Sequence, residues 1–184
     1  MKSGIRYLAI ASGPIKNRKD TILIGIVFRN GYIEGLLSTR ITVDGTDATG
    51  KITKMVRKSR FRDQIRMILF NGIALAGLNV INPNAIEKAL GVGIVILNRR
   101  RQNPKELTKA LDGFSRITGI DTSKRADIVR DYSNVEPVRV NGLYIQSRLE
   151  KHHIRKFAES AFEALRVAHI IARGVSTGES RGRL

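Results

Sequence analysis

This sequence predicts a mixed α/β domain that opens with antiparallel strands and continues through strand-and-helix units, and three observations predict it. Apolar runs of strand length, rich in Ile, Leu and Val, alternate with segments whose apolar residues recur at helical spacing. Of three Asn-Gly dipeptides, two, Asn30-Gly31 and Asn141-Gly142, stand between runs placed to pair and supply the positive φ angles of tight hairpins. Pro83 and Pro104 each follow an asparagine able to cap a helix at its start.

Residues 5–11 read as a short buried strand and 21–28 as a second. The first Asn-Gly turn folds 22–28 back onto 32–43, which gives a three-stranded meander. After Asp44-Gly45 the spacing turns helical through Ile52, Met55 and Val56, with Lys51, Lys54, Arg57 and Lys58 on the remaining face. Residues 66–70 and 92–97 are further strands. A helix over about 104–118 carries Leu107, Ala110, Leu111, Phe114 and Ile117 on one stripe. The second Asn-Gly turn pairs 138–140 with 143–145. A last helix over about 148–173 has Phe157, Ala161, Leu165, Ala168 and Ile171 on one side and ends at Gly174, leaving a single domain over 1–174 and a polar tail over 175–184.

Charge narrows the function. The 184 residues hold 33 Lys plus Arg against 16 Asp plus Glu, a formal net charge of +17. Such an excess repels itself and calls for an anionic partner, a phosphate backbone first. The longest apolar stretches fall well short of the ~20 residues of a membrane span, and no secretory leader is visible, so a cytoplasmic protein without membrane attachment is expected. With no cysteine, thiol catalysis, disulfides and zinc fingers are excluded. The bases concentrate in Arg57-Lys58-Ser59-Arg60-Phe61-Arg62 and Arg99-Arg100-Arg101, with Lys51 and Lys54 nearby, and these are the expected phosphate contacts.

Two motifs mislead. Gly45-Thr46-Asp47-Ala48-Thr49-Gly50-Lys51-Ile52 lies one residue from a phosphate-binding loop, but Ile52 stands where a magnesium-binding hydroxyl is needed and Asp47 would face the phosphates. Gly178-Glu179-Ser180-Arg181-Gly182 spells a nucleophile elbow without a following helix or a downstream histidine. His152 and His153 are adjacent on a helix and point apart, a poor geometry for a shared metal. His169 sits among apolar residues, where a histidine is usually half buried and hydrogen-bonded.

The stretches Thr42-Val43-Asp44-Gly45-Thr46-Asp47-Ala48-Thr49, Gln64 to Ala74 and Leu165 to Gly174, with the tail Gly178-Glu179-Ser180-Arg181-Gly182-Arg183, resemble the archaeal endonuclease dU family, itself similar to endonuclease V. The resemblance implies a ribonuclease H-like fold and phosphodiester hydrolysis near a deaminated base, deoxyuridine or inosine, as in DNA repair. It implies magnesium or manganese held by carboxylates, with Asp44 and Asp47 as metal ligands and Asp44 and His169 as catalytic groups. One feature departs from the family: its first strand ends in acids where this chain has Ala11-Ser12. A site lacking those carboxylates holds metal poorly. Two expectations follow, a weakened endonuclease or a basic module that docks on structured RNA, the ribosome included.

Overall fold

A computed structural model describes residues 4–16 and 19–180, with the backbone alone over 151–157. Its centre is a sheet of seven strands: β1 (Arg6–Ser12), β2 (Asp20–Arg29), β3 (Tyr32–Thr42), β4 (Ile65–Phe70), β7 (Gly93–Asn98), β8 (Val138–Val140) and β9 (Leu143–Ser147). Their order is β3-β2-β1-β4-β7-β9-β8. β1, β4 and β7 run parallel at the centre, and every outer pairing is antiparallel. A parallel centre needs cover on both faces. Here α1 (Ala48–Arg57), α2 (Pro83–Leu90), α3 (Pro104–Thr118) and α4 (Ser123–Ser133) cover one, and α5 (Lys151–Thr177) covers the other.

The strand alternation decides which residue faces which layer. Leu8 and Ile10 pack with Ile52, Val56, Ile68 and Phe70 on the four-helix side. Ala9 and Ala11 face α5, where Ala161, Ala164, Ala168 and Ala172 let that helix lie close to the sheet. Each fully buried Ile or Leu contributes roughly 1.5–3 kcal/mol, so the central strands carry most of the fold's stability.

Local signals behave as their chemistry requires. Asn30 and Gly31 have φ of 51° and 86°, Asn141 and Gly142 of 48° and 79°, which makes both hairpin turns left-handed. Asn82 and Asn103 accept hydrogen bonds from Ala85 N and Lys105 N and so cap α2 and α3.

Four features depart from the sequence reading. α5 continues through Gly174 to Thr177 and stops at Gly178, whose φ is 81°, so residues 175–177 belong to the helix and not to a tail. In the extra turn Ser176 sits against Gly13, where any Cβ would collide with the serine hydroxyl, and its Oγ donates to Ala172 O within the helix. Residues 74–80 form a small antiparallel hairpin of β5 (Ala74–Leu75) and β6 (Asn79–Val80). α4 is a helix the apolar pattern does not reveal. On α3, Ala110 is exposed and Ile117 is 87% exposed, so the expected apolar stripe is buried only at Leu111 and partly at Leu107 and Phe114.

Candidate nucleic-acid interface

Side chains with binding chemistry gather where the parallel strands end, the usual ligand edge of an open α/β sheet. Ser12 closes β1, Asn71 and Gly72 follow β4, and Asn98 closes β7 ahead of Arg99-Arg100-Arg101 and Gln102. Ile10 pairs with Phe70, so the next positions, Ala11 and Asn71, are neighbours across β1 and β4. Gln102 Nε2 donates to Asn98 Oδ1 at 3.2 Å and lies against Gly72, whose φ of 107° and lack of a side chain leave it room. Arg99 stacks on the Phe162 ring, 4.9 Å from its centroid, and overlooks an open depression of about 390 Å³ bordered by Asn141, Leu143 and Glu159. Arg101 meets Glu136 at 3.5 Å, whereas Arg99 and Arg100 have no carboxylate partner among the described residues.

His169 belongs to this edge. Phe162, His169 and Ser176 are spaced by seven residues and so share one stripe of α5. Phe162 touches Arg99 at the end of β7 and Ser176 abuts Gly13 after β1, which carries His169 past the end of the intervening β4. Burial lowers the imidazole pKa below its ordinary 6.5, and Arg173 adds to the shift. Stability therefore falls as pH drops below about 6.5, where the unfolded chain takes up a proton that folded His169 resists, and levels off below the lowered pKa. Thermal melts of His169→Leu between pH 7 and 5 are expected to show a smaller decline than the wild type.

Asp44 and Asp47 are anchored on the other layer. Asp44, with φ of 55°, accepts the Leu78 N–H at 2.8 Å through Oδ1, and its own N–H donates to Ala76 O. Asp47 accepts from Thr42 N, Thr42 Oγ1 and Asn79 Nδ2. Burial would raise the Asp47 pKa, but these hydrogen bonds together hold it below the usual carboxylate range. Both acids thus tie the β3–α1 turn to the β5–β6 hairpin. Ser12 Oγ joins them by accepting the Ala76 N–H at 3.4 Å. Ile52 is fully buried on α1 and offers no hydroxyl, so the stretch resembling a phosphate loop is the β3–α1 turn and the start of that helix.

A divalent-metal site of the kind the resemblance implies requires several free carboxylates converging on one point. The residues present do not fit it: no group of three possible ligands forms among the described residues, Asp44 and Asp47 are hydrogen-bonded to the chain, and His169 lies on the opposite side of the sheet. The side chains of His152 and His153 lie outside the described residues.

Arg125 is a residue the sequence reading missed. It is 3% exposed, donates from Nη1 to Asp44 O at 2.8 Å and Leu78 O at 3.1 Å, and lies 5.3 Å from the Phe114 ring centroid. Its Nε and Nη2 have no hydrogen-bond partner among the described residues. No apolar periodicity flags an arginine buried on its backbone contacts. The Asp44 and Leu78 contacts can be tested at Gly77, whose φ is 85° and where a Cβ would overlap Asp44 Oδ1. Gly77→Ala is expected to cost about 2 kcal/mol, through backbone strain and the displaced Asp44 hydrogen bond. Adding Asp44→Ala should cost little more, which a double-mutant cycle by chemical denaturation checks.

Of the nine predicted phosphate contacts, Arg99, Arg100 and Arg101 join this edge. Arg57, Lys58, Arg60 and Arg62 do not, because residues 57–62 precede the start of β4 at the opposite edge of the sheet, and α1, which carries Lys51 and Lys54, runs between the two edges on the four-helix layer.

The fold is ribonuclease H-like, of the endonuclease V type. It resembles the catalytic domain of human endonuclease V over 96% of this chain and 85% of that one, at a TM-score of 0.53 and 11% identity. The family model for endonuclease dU matches residues 3–176, and the chain belongs to that family. It is 34% identical over 99% of its length to the UPF0215 protein of Methanothermobacter thermautotrophicus, covering 93% of that protein. It is also 33% identical to the UPF0215 protein of Methanosarcina mazei, over the whole of this chain and 96% of that one. A crystal structure of a protein of unknown function from Archaeoglobus fulgidus superposes at a TM-score of 0.79 with 29% identity, over 93% of this chain and 98% of that chain. Among the described residues no helix is long and apolar enough to cross a membrane.

Proposed function

We propose that this member of the endonuclease dU family binds nucleic acid at the ends of β1, β4 and β7, receives a deaminated nucleotide there, and has lost phosphodiester hydrolysis. The observation that carries the reading is the chemistry of that edge. Ser12, Asn71, Asn98 and Gln102 supply neutral hydrogen-bonding groups, and Arg99 and Arg100 supply phosphate contacts, where a hydrolytic centre needs acids. A deaminated base presents a carbonyl acceptor in place of an exocyclic amine. An amide N–H matches that acceptor, and Asn71 has an exposed amide with no hydrogen bond among the described residues.

Fluorescence anisotropy with single-stranded oligonucleotides tests it. Binding of a strand holding one inosine or uracil should be tighter than binding of the unmodified strand, and Asn71→Ala should reduce that preference about tenfold, the loss of one good base contact of ~1–3 kcal/mol. Equal affinity for modified and unmodified strands would remove the deaminated base from the account.

A further inference from the structure

The α1 surface points to a second nucleic-acid contact: we infer that α1 and the turn leading to β4 hold one stretch of phosphate backbone while the β7 end holds another, so that the protein joins two segments. This inference rests on the nucleic-acid reading above and extends it. Lys51, Lys54 and Lys58 recur at i, i+3 and i+7, all exposed, and line up over about 10 Å of α1 at 1.5 Å per residue. The stripe runs into Arg57, Arg60, Arg62 and Arg66, also exposed. From Lys51 to Arg66 there are seven bases and one acid, Asp63. Asp63 pairs with Arg62, and none of the other six bases has a carboxylate partner among the described residues.

The guanidinium groups are held outward rather than hanging loose. Arg57 Nη2 donates to Ala89 O and Arg66 Nη1 to Asp63 O, which fixes each group while its other N–H donors stay available. Arg60 lies 4.9 Å from the Phe61 ring centroid. That ring occupies the space beside Gly35, where a Cβ would come within 2.5 Å of it. Pre-positioned cations lose less entropy on meeting phosphates.

One straight segment does not explain both basic clusters. They lie at opposite ends of parallel strands, and Arg99 stands on α5 whereas Arg57 bonds the end of α2 across the sheet. Membranes and acidic proteins fit the α1 surface less well, because both want apolar contact beside the charge. No exposed large apolar side chain lies on α1 or in the turn that follows it; the nearest, Tyr32, Ile33 and Leu36, lie on the edge strand β3.

A bridging assay tests the inference. Protein is captured on beads by a biotinylated oligonucleotide and then offered a second, fluorescent oligonucleotide, as single strand, duplex or RNA hairpin. Wild type should recruit the second strand. Lys54→Gln, Lys58→Gln, Arg60→Gln and Arg62→Gln combined should bind a single oligonucleotide within about threefold of wild type, since three phosphate contacts remain elsewhere, and should lose recruitment at least tenfold. The same substitutions to Ala provide a second variant, and circular dichroism melts confirm that each is folded. Unchanged recruitment by the folded variants, or wild-type binding of one oligonucleotide without recruitment of a second, overturns the inference and leaves the nucleic-acid reading standing. Polyglutamate competing as well as nucleic acid for the α1 surface also overturns it. Failure of wild type to bind any oligonucleotide at low salt defeats both.

Discussion

Substituting Ala11→Asp together with Asn71→Asp is expected to install manganese-dependent cutting of a uracil- or inosine-containing strand. Ala11 and Asn71 are cross-strand neighbours at the ends of β1 and β4, and His169 passes the same point on α5, so the two new carboxylates and the imidazole would share one face. Ala11 is 1% exposed, and an aspartate there without a counterion is costly. The metal-free variant should therefore melt lower, by about 3 kcal/mol, which is roughly 6–12 °C for a chain of this size. Manganese should restore much of that loss, because an ion that binds only the folded state stabilises it. Cleavage of a uracil- or inosine-containing strand should rise at least a hundredfold above wild type, the scale on which placed charge acts in a transition state. A variant that melts lower, ignores manganese in the melt and cuts nothing would show that the ends of β1 and β4 cannot assemble a metal site.

Replacing Arg99, Arg100 and Arg101 by Ala is expected to give the second large effect. Each neutralised phosphate contributes about −0.9 to the slope of log affinity against log salt on duplex DNA, so the triple variant should lose up to about 2.7 from that slope. Affinity should fall for every sequence alike, with the preference for a modified base kept, because backbone contacts position and do not read. Equilibrium binding between 50 and 300 mM salt checks both points. A loss confined to one sequence would mean that one of these arginines reads a base edge.

The strands, both Asn-Gly hairpins and the Asn-Pro helix starts were legible because each rests on a local rule, a period of two or a turn dipeptide with its own φ. α4 was not, since its inner face includes Arg125, held by backbone carbonyls that no pattern along the chain announces. The end of α5 was misplaced at Gly174 because glycine is only a permissive stop, and the left-handed cap falls at the next glycine, Gly178. For the site, the basic clusters and His169 could be picked out, but their distribution over opposite edges is a property of strand order. Asp44 and Asp47 drew attention as acids in a family-like motif, and the structure shows both engaged in joining two turns. Asn71 stands in an Asn-Gly dipeptide within the family-like stretch 64–74, a pattern that signals a turn and not a site. It gained meaning only when β4 was seen to end beside Ala11.

Binding without hydrolysis can be read from one incubation: wild-type protein with a 5′-labelled strand holding a single inosine or uracil, with magnesium or manganese, divided between a native gel and a denaturing gel. A salt-sensitive shifted band is expected on the native gel and an intact strand on the denaturing one. A strand cut at or beside the modified nucleotide, with cutting abolished by Asp44→Asn, would contradict that expectation and place Asp44 at a working metal centre.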